Sequence, residues 1–160
     1  MYITIIDEAN FTNYQYEQLK NNGYNTIKDI CSAKQDEIIS KIGKRAYYGV
    51  KMKLHQMGLM FDFEIELYEK LKISLKQELE IPLAMLDFGE IFSGIIYNYF
   101  NVKYKKNTFN CNDIMLLSIK ELVAFYNVKP VHINELLFII HKLGLKVKEE
   151  IKKDLEEEMP

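Results

Sequence analysis

Apolar residues recur along this chain at the three- and four-residue intervals of helices lying on a core, and polar residues mark where each helix begins and ends. Thr12-Asn13-Tyr14-Gln15 has capping-box spacing: a hydroxyl for the N3 amide and a glutamine to reach back. The helix it opens places Tyr16 and Leu19 on one face, with Gly23 as its left-handed stop. Thr26-Ile27-Lys28-Asp29 opens a short second helical turn, and Ser32 is placed to cap a helix carrying Ile38 and Ile39. Gly43 interrupts. A longer helix follows from about Arg45 to Met57, and Gly58-Leu59 closes it as a Schellman end, glycine first and a hydrophobe after it.

The second half repeats this punctuation. Asp87-Phe88-Gly89-Glu90 has capping-box spacing and opens an apolar helix through Ile91, Ile95 and Tyr99. Asn112 or Asp113 caps a short helix containing Ile114, and Ser118-Ile119-Lys120-Glu121 leads into Leu122 and Phe125. A break falls at Val128, Lys129 and Pro130, and a last helix runs from about His132 to Leu143, ending at Gly144-Leu145. Local wording repeats as well. Asp29-Ile30 then Glu37-Ile38 matches Asp113-Ile114 then Glu121-Leu122 at equal spacing, and Met57-Gly58-Leu59 matches Leu143-Gly144-Leu145. Such self-similarity predicts duplication of one supersecondary unit.

Between the halves, Phe63, Leu67, Tyr68, Leu71 and Leu75 form an apolar stripe among charged residues, a connector helix that Pro82 would stop. The expected organisation is all-α: a compact helical module over residues 1–62, an acidic connector helix over 63–80, a second and more diverged module over 81–148, and a charged tail over 149–160.

Charge adds a pattern that the total of −2 hides. By direct count, residues 1–60 carry eight basic and six acidic side chains and residues 101–145 carry six and three, against three and eight in residues 61–100. Both modules are mildly basic and the connector is acidic, which fits a local electrostatic site and excludes a strongly basic protein that coats DNA. Hydrophobic residues make up 48% of the chain, ample for a packed core. The two cysteines, Cys31 and Cys111, lack CxxC spacing and read as small buried side chains of a reduced, cytoplasmic protein. No apolar run approaches the roughly 20 residues of a membrane span.

Several of these residues carry a family resemblance. Phe11-Thr12, Leu19, Gly23-Tyr24-Asn25-Thr26-Ile27, Ile38, Ile42-Gly43-Lys44-Arg45 and Met57-Gly58-Leu59 resemble the C-terminal domain of the bacterial RNA polymerase alpha subunit. Asp113-Ile114, Ser118, Glu121-Leu122, Asn127-Val128, Glu135 and Leu143-Gly144-Leu145 look like a diverged second copy. The resemblance implies a compact fold containing a helix–hairpin–helix, and duplex DNA, RNA polymerase or another transcription protein as partners. The family's first helix has an arginine two residues after the cap and an asparagine three further on. Tyr14 and Glu17 stand at those places in the first module, Gly89 and Phe92 in the second. The family's hairpin reads asparagine, apolar, glycine, two basic residues and a serine. The first module offers Lys41, Ile42, Gly43, Lys44, Arg45 and Ala46, with Gly49 where a glutamate follows. The second keeps Asn127 and Glu135, but Lys129 replaces the glycine and Pro130 and Val131 the basic pair.

The chemistry of the hairpin is simple. A glycine lets the backbone approach a phosphate, and the next helix presents unpaired N–H groups at the positive end of its dipole. Lys41, Lys44 and Arg45 add charge, and Tyr48 can add a stacking or sugar contact. Binding of this kind reads the backbone and is sensitive to salt. The expected interface is therefore Lys41, Gly43, Lys44, Arg45 and Tyr48, with Asn127 and Lys129 at the second hairpin. Lys51 is expected to extend the basic strip. His55, His132 and His141 lack metal-ligand spacing, and no phosphate-binding loop, nucleophile elbow or dinucleotide fingerprint is present. The chain reads as non-catalytic, with no cofactor and no metal: a nucleic-acid-associated accessory protein, or alternatively a protein-interaction module that keeps the fold without the DNA surface.

Overall fold

A computed structural model describes residues 10–151 and Lys153. The fold is all-α, with no β-strand among the described residues. The chain divides into two compact units, residues 1–67 and 68–160, and the division falls inside one helix, Asp62–Lys76.

In the first unit, α1 (Asn13–Asn21), α2 (Ile27–Cys31), α3 (Gln35–Ile42) and α4 (Lys44–Gln56) lead into α5 (Asp62–Lys76). Thr12 caps α1: its Oγ1 accepts the Gln15 N–H, and the Gln15 amide oxygen accepts the Thr12 N–H, each at 3.2 Å. Thr26 caps α2 in the same reciprocal way, and the Asp29 carboxylate also takes the Asn25 N–H at 3.0 Å. Those backbone bonds hold the Asp29 carboxyl below the usual carboxylate range. Ser32 is not the cap of α3. It ends α2, donating its hydroxyl to the Lys28 carbonyl at 2.7 Å, and α3 starts at Gln35 behind Lys34 without a side-chain cap. The serine hydroxyl is taken up by the end of α2 and does not open α3.

α1 packs on both α3 and α4, which pack on each other. Leu19, Ile30, Ile38, Val50, Leu54 and Phe61 are fully enclosed between them. Gly49 on α4 faces Gln15 on α1, and a Cβ there would run into the Gln15 amide. A larger residue at position 49 would have to displace the Gln15 side chain from its bond to the Thr12 N–H. Both α1 and α4 end in Schellman turns: Tyr24 N–H reaches the Leu19 carbonyl at 3.0 Å, and Leu59 N–H reaches that of Leu54 at 2.8 Å.

The second unit contains the end of α5, a 3₁₀ turn at Leu83–Met85, α6 (Glu90–Tyr104), a 3₁₀ helix at Cys111–Leu116, α7 (Ile119–Tyr126) and α8 (Pro130–Leu143). α5 stops before Pro82, at a left-handed Glu78 (φ 60°), with Leu79 N–H bonded to the Ser74 carbonyl. Pro82 pairs instead with Asn110 in an isolated antiparallel bridge, flanked by Cys111 N–H to Ile81 O at 2.7 Å and Leu83 N–H to Phe109 O at 2.9 Å. That bridge ties the loop after α5 to the 3₁₀ helix. The caps here lie away from their expected places, two residues from Asp87 and two or three from Asn112 or Asp113. Gly89 is the N-cap of α6, its N–H taken by Asp87 at 3.0 Å, and Asn110 precedes the 3₁₀ helix, its N–H taken by Asp113 at 2.8 Å.

Aromatic rings fill the core of this unit. Phe92 on α6 stacks on His132 of α8 at 5.2 Å, Tyr99 meets Tyr126 of α7 edge-on at 5.7 Å, and Phe100 stacks on Phe109 at 4.8 Å. Ser118 accepts the Glu121 N–H as the N-cap of α7, but Glu121 does not return to it; its carboxylate goes to Lys103 Nζ at 2.7 and 2.8 Å. The Tyr99 hydroxyl accepts the freed Ser118 N–H at 3.0 Å. Beyond Gly144, which closes α8 in a third Schellman turn, Val147 is fully buried and residues 148–151 are helical. Most of the expected charged tail lies outside the described residues.

Candidate nucleic-acid interface

The first hairpin is a single residue long. Gly43 is at once the C-cap of α3 and the N-cap of α4, at φ 87° and ψ 155°, a region essentially closed to residues with a Cβ. Its N–H goes back to the Ile39 carbonyl at 2.9 Å, and its carbonyl accepts the Tyr47 N–H at 3.0 Å. The N–H groups of Lys44, Arg45 and Ala46 open the helix with no intrahelical partner, as geometry requires of a first turn. No atom lies within 4 Å of where a Gly43 Cβ would sit, so the backbone there is open to approach.

Ile42, Ala46 and Tyr47 are buried and fix this corner to the core, while Lys41, Gly43, Lys44 and Arg45 are exposed. Among the described residues no hydrogen bond or ion pair engages Lys44 or Arg45. Lys41 is held differently. Its Nζ bonds Glu37 at 2.9 Å one turn back and lies 5.6 Å from the centre of the Tyr24 ring. The Glu37 hydrogen bond raises the Lys41 pKa and lowers that of Glu37. Two uncompensated cations therefore stand at the positive end of a 13-residue helix, where cations are intrinsically disfavoured.

Tyr48 is half-buried, with Lys51 Nζ 5.0 Å from its ring centre and 6.0 Å from that of Tyr47. Lys51 is buried and does not extend the basic strip; the two tyrosine faces draw its ammonium inward.

The second hairpin has three residues between helices: Asn127 in the left-handed region (φ 51°, ψ 40°), buried Val128, and Lys129 as the N-cap of α8. Pro130 takes the first helical position, where its missing N–H costs nothing. Asn127 and Lys129 are both exposed. Glu135, at the place of the family's glutamate, is buried within α8. Gly89 and Phe92, at the places of its arginine and asparagine, are a helix cap and a core ring.

Two features escaped the periodicity of the sequence. Phe125 is not on the packed face of α7: it is 79% exposed. The stripe toward the core is Ile119, Leu122 and Tyr126, and Phe125 lies on its flank. The second is a buried pair, His55 on α4 and Glu64 on α5, nine residues apart. Among the described residues no three His, Cys, Asp or Glu side chains converge to hold a metal ion. An open cleft of about 650 Å³ is lined by Lys103, Ser118, Lys120, Glu121, Lys148 and Glu149 among others. Its acids are engaged: Glu121 by Lys103, and Glu149 by the Ser118 hydroxyl at 2.5 Å and the Lys120 N–H at 3.2 Å. Glu149 thus occupies the start of α7 as an anion would.

Comparison of this chain with protein-family models, curated proteins and solved structures returned no match.

Proposed function

We propose that this protein is a non-catalytic accessory protein that binds duplex DNA through its sugar–phosphate backbone and acts in or near transcription, in the manner of the polymerase alpha C-terminal domain that its motifs resemble. One observation carries the reading: Lys44 and Arg45 stand exposed and uncompensated in the first turn of α4, immediately after an open glycine corner. Such a corner offers a phosphate free N–H groups, a helix dipole and two cations together. With the glycine backbone set against a phosphate, both cations serve as backbone charges, so affinity should vary little with sequence and fall steeply with salt.

The test is fluorescence anisotropy with a labelled duplex at low and moderate salt, comparing wild type with Lys44→Glu/Arg45→Glu. Salt-sensitive binding that the double variant loses supports the reading; a wild type that leaves the duplex unbound at low salt overturns it. The exposed Tyr14, at the place of the family's DNA-contacting arginine, favours a second reading, a protein-interaction module. That reading gains if the duplex stays free and a transcription protein such as an RNA polymerase subunit is retained by the immobilised chain but not by its Tyr14→Ser variant.

A further inference from the structure

The turn between α7 and α8 exposes three chemically different groups within five residues. Phe125 is 79% exposed, more than any other large apolar side chain among the described residues. Asn127 and Lys129 follow it, both exposed, and among the described residues no hydrogen bond or ion pair engages either side chain. Between them Tyr126 packs on Tyr99 and Val128 is buried, so alternate residues anchor the turn while the others face water.

Val123, the other large apolar residue exposed on α7, does not extend Phe125 into a patch, and the exposed Ala124 adds only a methyl group. Two residues apart on a helix are about 200° apart around its axis, so the two flank the packed stripe on opposite sides. The acid one turn back from Phe125 on α7, Glu121, is paired with Lys103. A lone aromatic face beside a free amide and a free cation does not suit a hydrophobic groove-binder. It suits a nucleotide, whose three parts match the three groups.

We infer that the second hairpin is a stacking site for an unpaired nucleobase of single-stranded nucleic acid: Phe125 stacks the base, Asn127 bonds its edge, and Lys129 neutralises the adjacent phosphate. This rests on the nucleic-acid reading of the molecule but not on the first hairpin. Every base has a π-face, so the site tolerates sequence, and loss of one stacking ring weakens single-strand binding roughly five- to a hundredfold. The two hairpins then divide the work, the glycine corner holding duplex backbone and the aromatic corner holding a splayed base.

The chain contains no tryptophan, so Phe125→Trp installs a sole tryptophan at the site. The full chain is titrated with labelled twelve-nucleotide oligothymidylate and, separately, with a twelve-base-pair duplex. Circular dichroism verifies that Phe125→Ala and Phe125→Trp fold, which the exposure of the side chain favours. The expected result is that Phe125→Ala weakens oligothymidylate binding about tenfold and leaves duplex binding unchanged. Phe125→Trp should keep affinity, with its emission quenched by the oligothymidylate. Equal oligothymidylate binding by Phe125→Ala and wild type overturns the inference. Emission unmoved at saturating oligothymidylate overturns it as well. So does emission that responds to an acidic amphipathic peptide and not to the oligonucleotide, since the occupant is then a protein. Lys44→Glu/Arg45→Glu separates the readings: if it loses the duplex and still shows the Phe125-dependent single-strand response, the second hairpin is a site of its own.

Discussion

His55 Nε2 lies 3.0 and 2.9 Å from the two carboxylate oxygens of Glu64, with both side chains almost wholly out of water. Glu64 also accepts the Phe61 N–H at 3.3 Å, so one carboxylate fixes the start of α5 and fastens it to the end of α4. Removing the Glu64 carboxylate takes away its bonds to the His55 ring and to the Phe61 N–H, which costs about 1–3 kcal/mol. Glu64→Ala should destabilise the first unit by that order in urea titrations followed by circular dichroism, and Glu64→Gln should cost less because an amide still bonds the ring. Cys31 gives a local reading of the same event. It is buried, and burial with help from Asp62 and Glu64 pushes its thiol up to about 11, so only opened molecules should react with a thiol reagent. Faster Cys31 labelling in Glu64→Ala is the expected result; an unchanged rate would count against the pair as a fastening.

Gly43 and Gly144 both have positive φ, but at different ψ: 155° and 21°. The second is the ordinary left-handed region that asparagine tolerates, and the first is nearly reserved for glycine. Gly144→Asn should therefore be mild, and Gly43→Asn and Gly43→Ala should each cost about 1–3 kcal/mol by thermal melting. No neighbour lies within reach of a Cβ at Gly43, so any loss there is backbone strain alone.

The charges that would bind DNA work against the helix that carries them. Lys44 and Arg45 are exposed, lack partners and face the positive end of α4. Acids at the same positions suit that end better. Lys44→Glu/Arg45→Glu should melt at no lower temperature than wild type, so a binding defect in it cannot be attributed to unfolding. A drop of several degrees would show that the pair has a structural role instead.

His132 gives the second unit a dependence on pH. Its ring stacks on Phe92 and its Nδ1 is buried without a hydrogen bond among the described residues. Burial, with Lys129 nearby, holds its pKa below the ordinary 6.5. The unfolded chain thus takes a proton before the folded one does. The contribution is intact above pH 6.5 and is lost as pH falls toward the depressed folded value. His132→Phe, which keeps the stacking, should flatten the change in melting temperature between pH 7 and pH 5.5; an unflattened slope would place the titration elsewhere.

How much of this could be read from the chain depended on distance along it. The ends at Gly23, Gly58 and Gly144 are made by backbone groups, and the boxes at Thr12 and Thr26 by side chains bonded to backbone, all three to five residues apart, and each is legible in the sequence. Where a helix opens behind a residue with no side-chain cap bond, as α3 does behind Lys34 and α6 behind Gly89, the nearby Ser32 and Asp87 drew the expected start to the wrong place. The hairpin charges were found because they follow a glycine. Lys51 was misplaced because a lysine reads as solvated, yet two tyrosine faces hold it. Phe125 sits three residues after Leu122, close enough in angle to pass for core, and only the narrowness of the packed face of α7 excludes it. His55 and Glu64 share no periodic cue at all.

A corner one residue long also has no slack. Adding a single residue beside Gly43 would turn α4 by about 100° against α3, swinging Val50 and Leu54 out of the core along with Lys44 and Arg45 from their place. The stretch from Ile42 to Ala46 should accept exchange of its charges while rejecting any change of length. In descendants of this chain, insertions should gather in the looser joints, such as the three-residue turn at Asn127, and leave the glycine corner untouched.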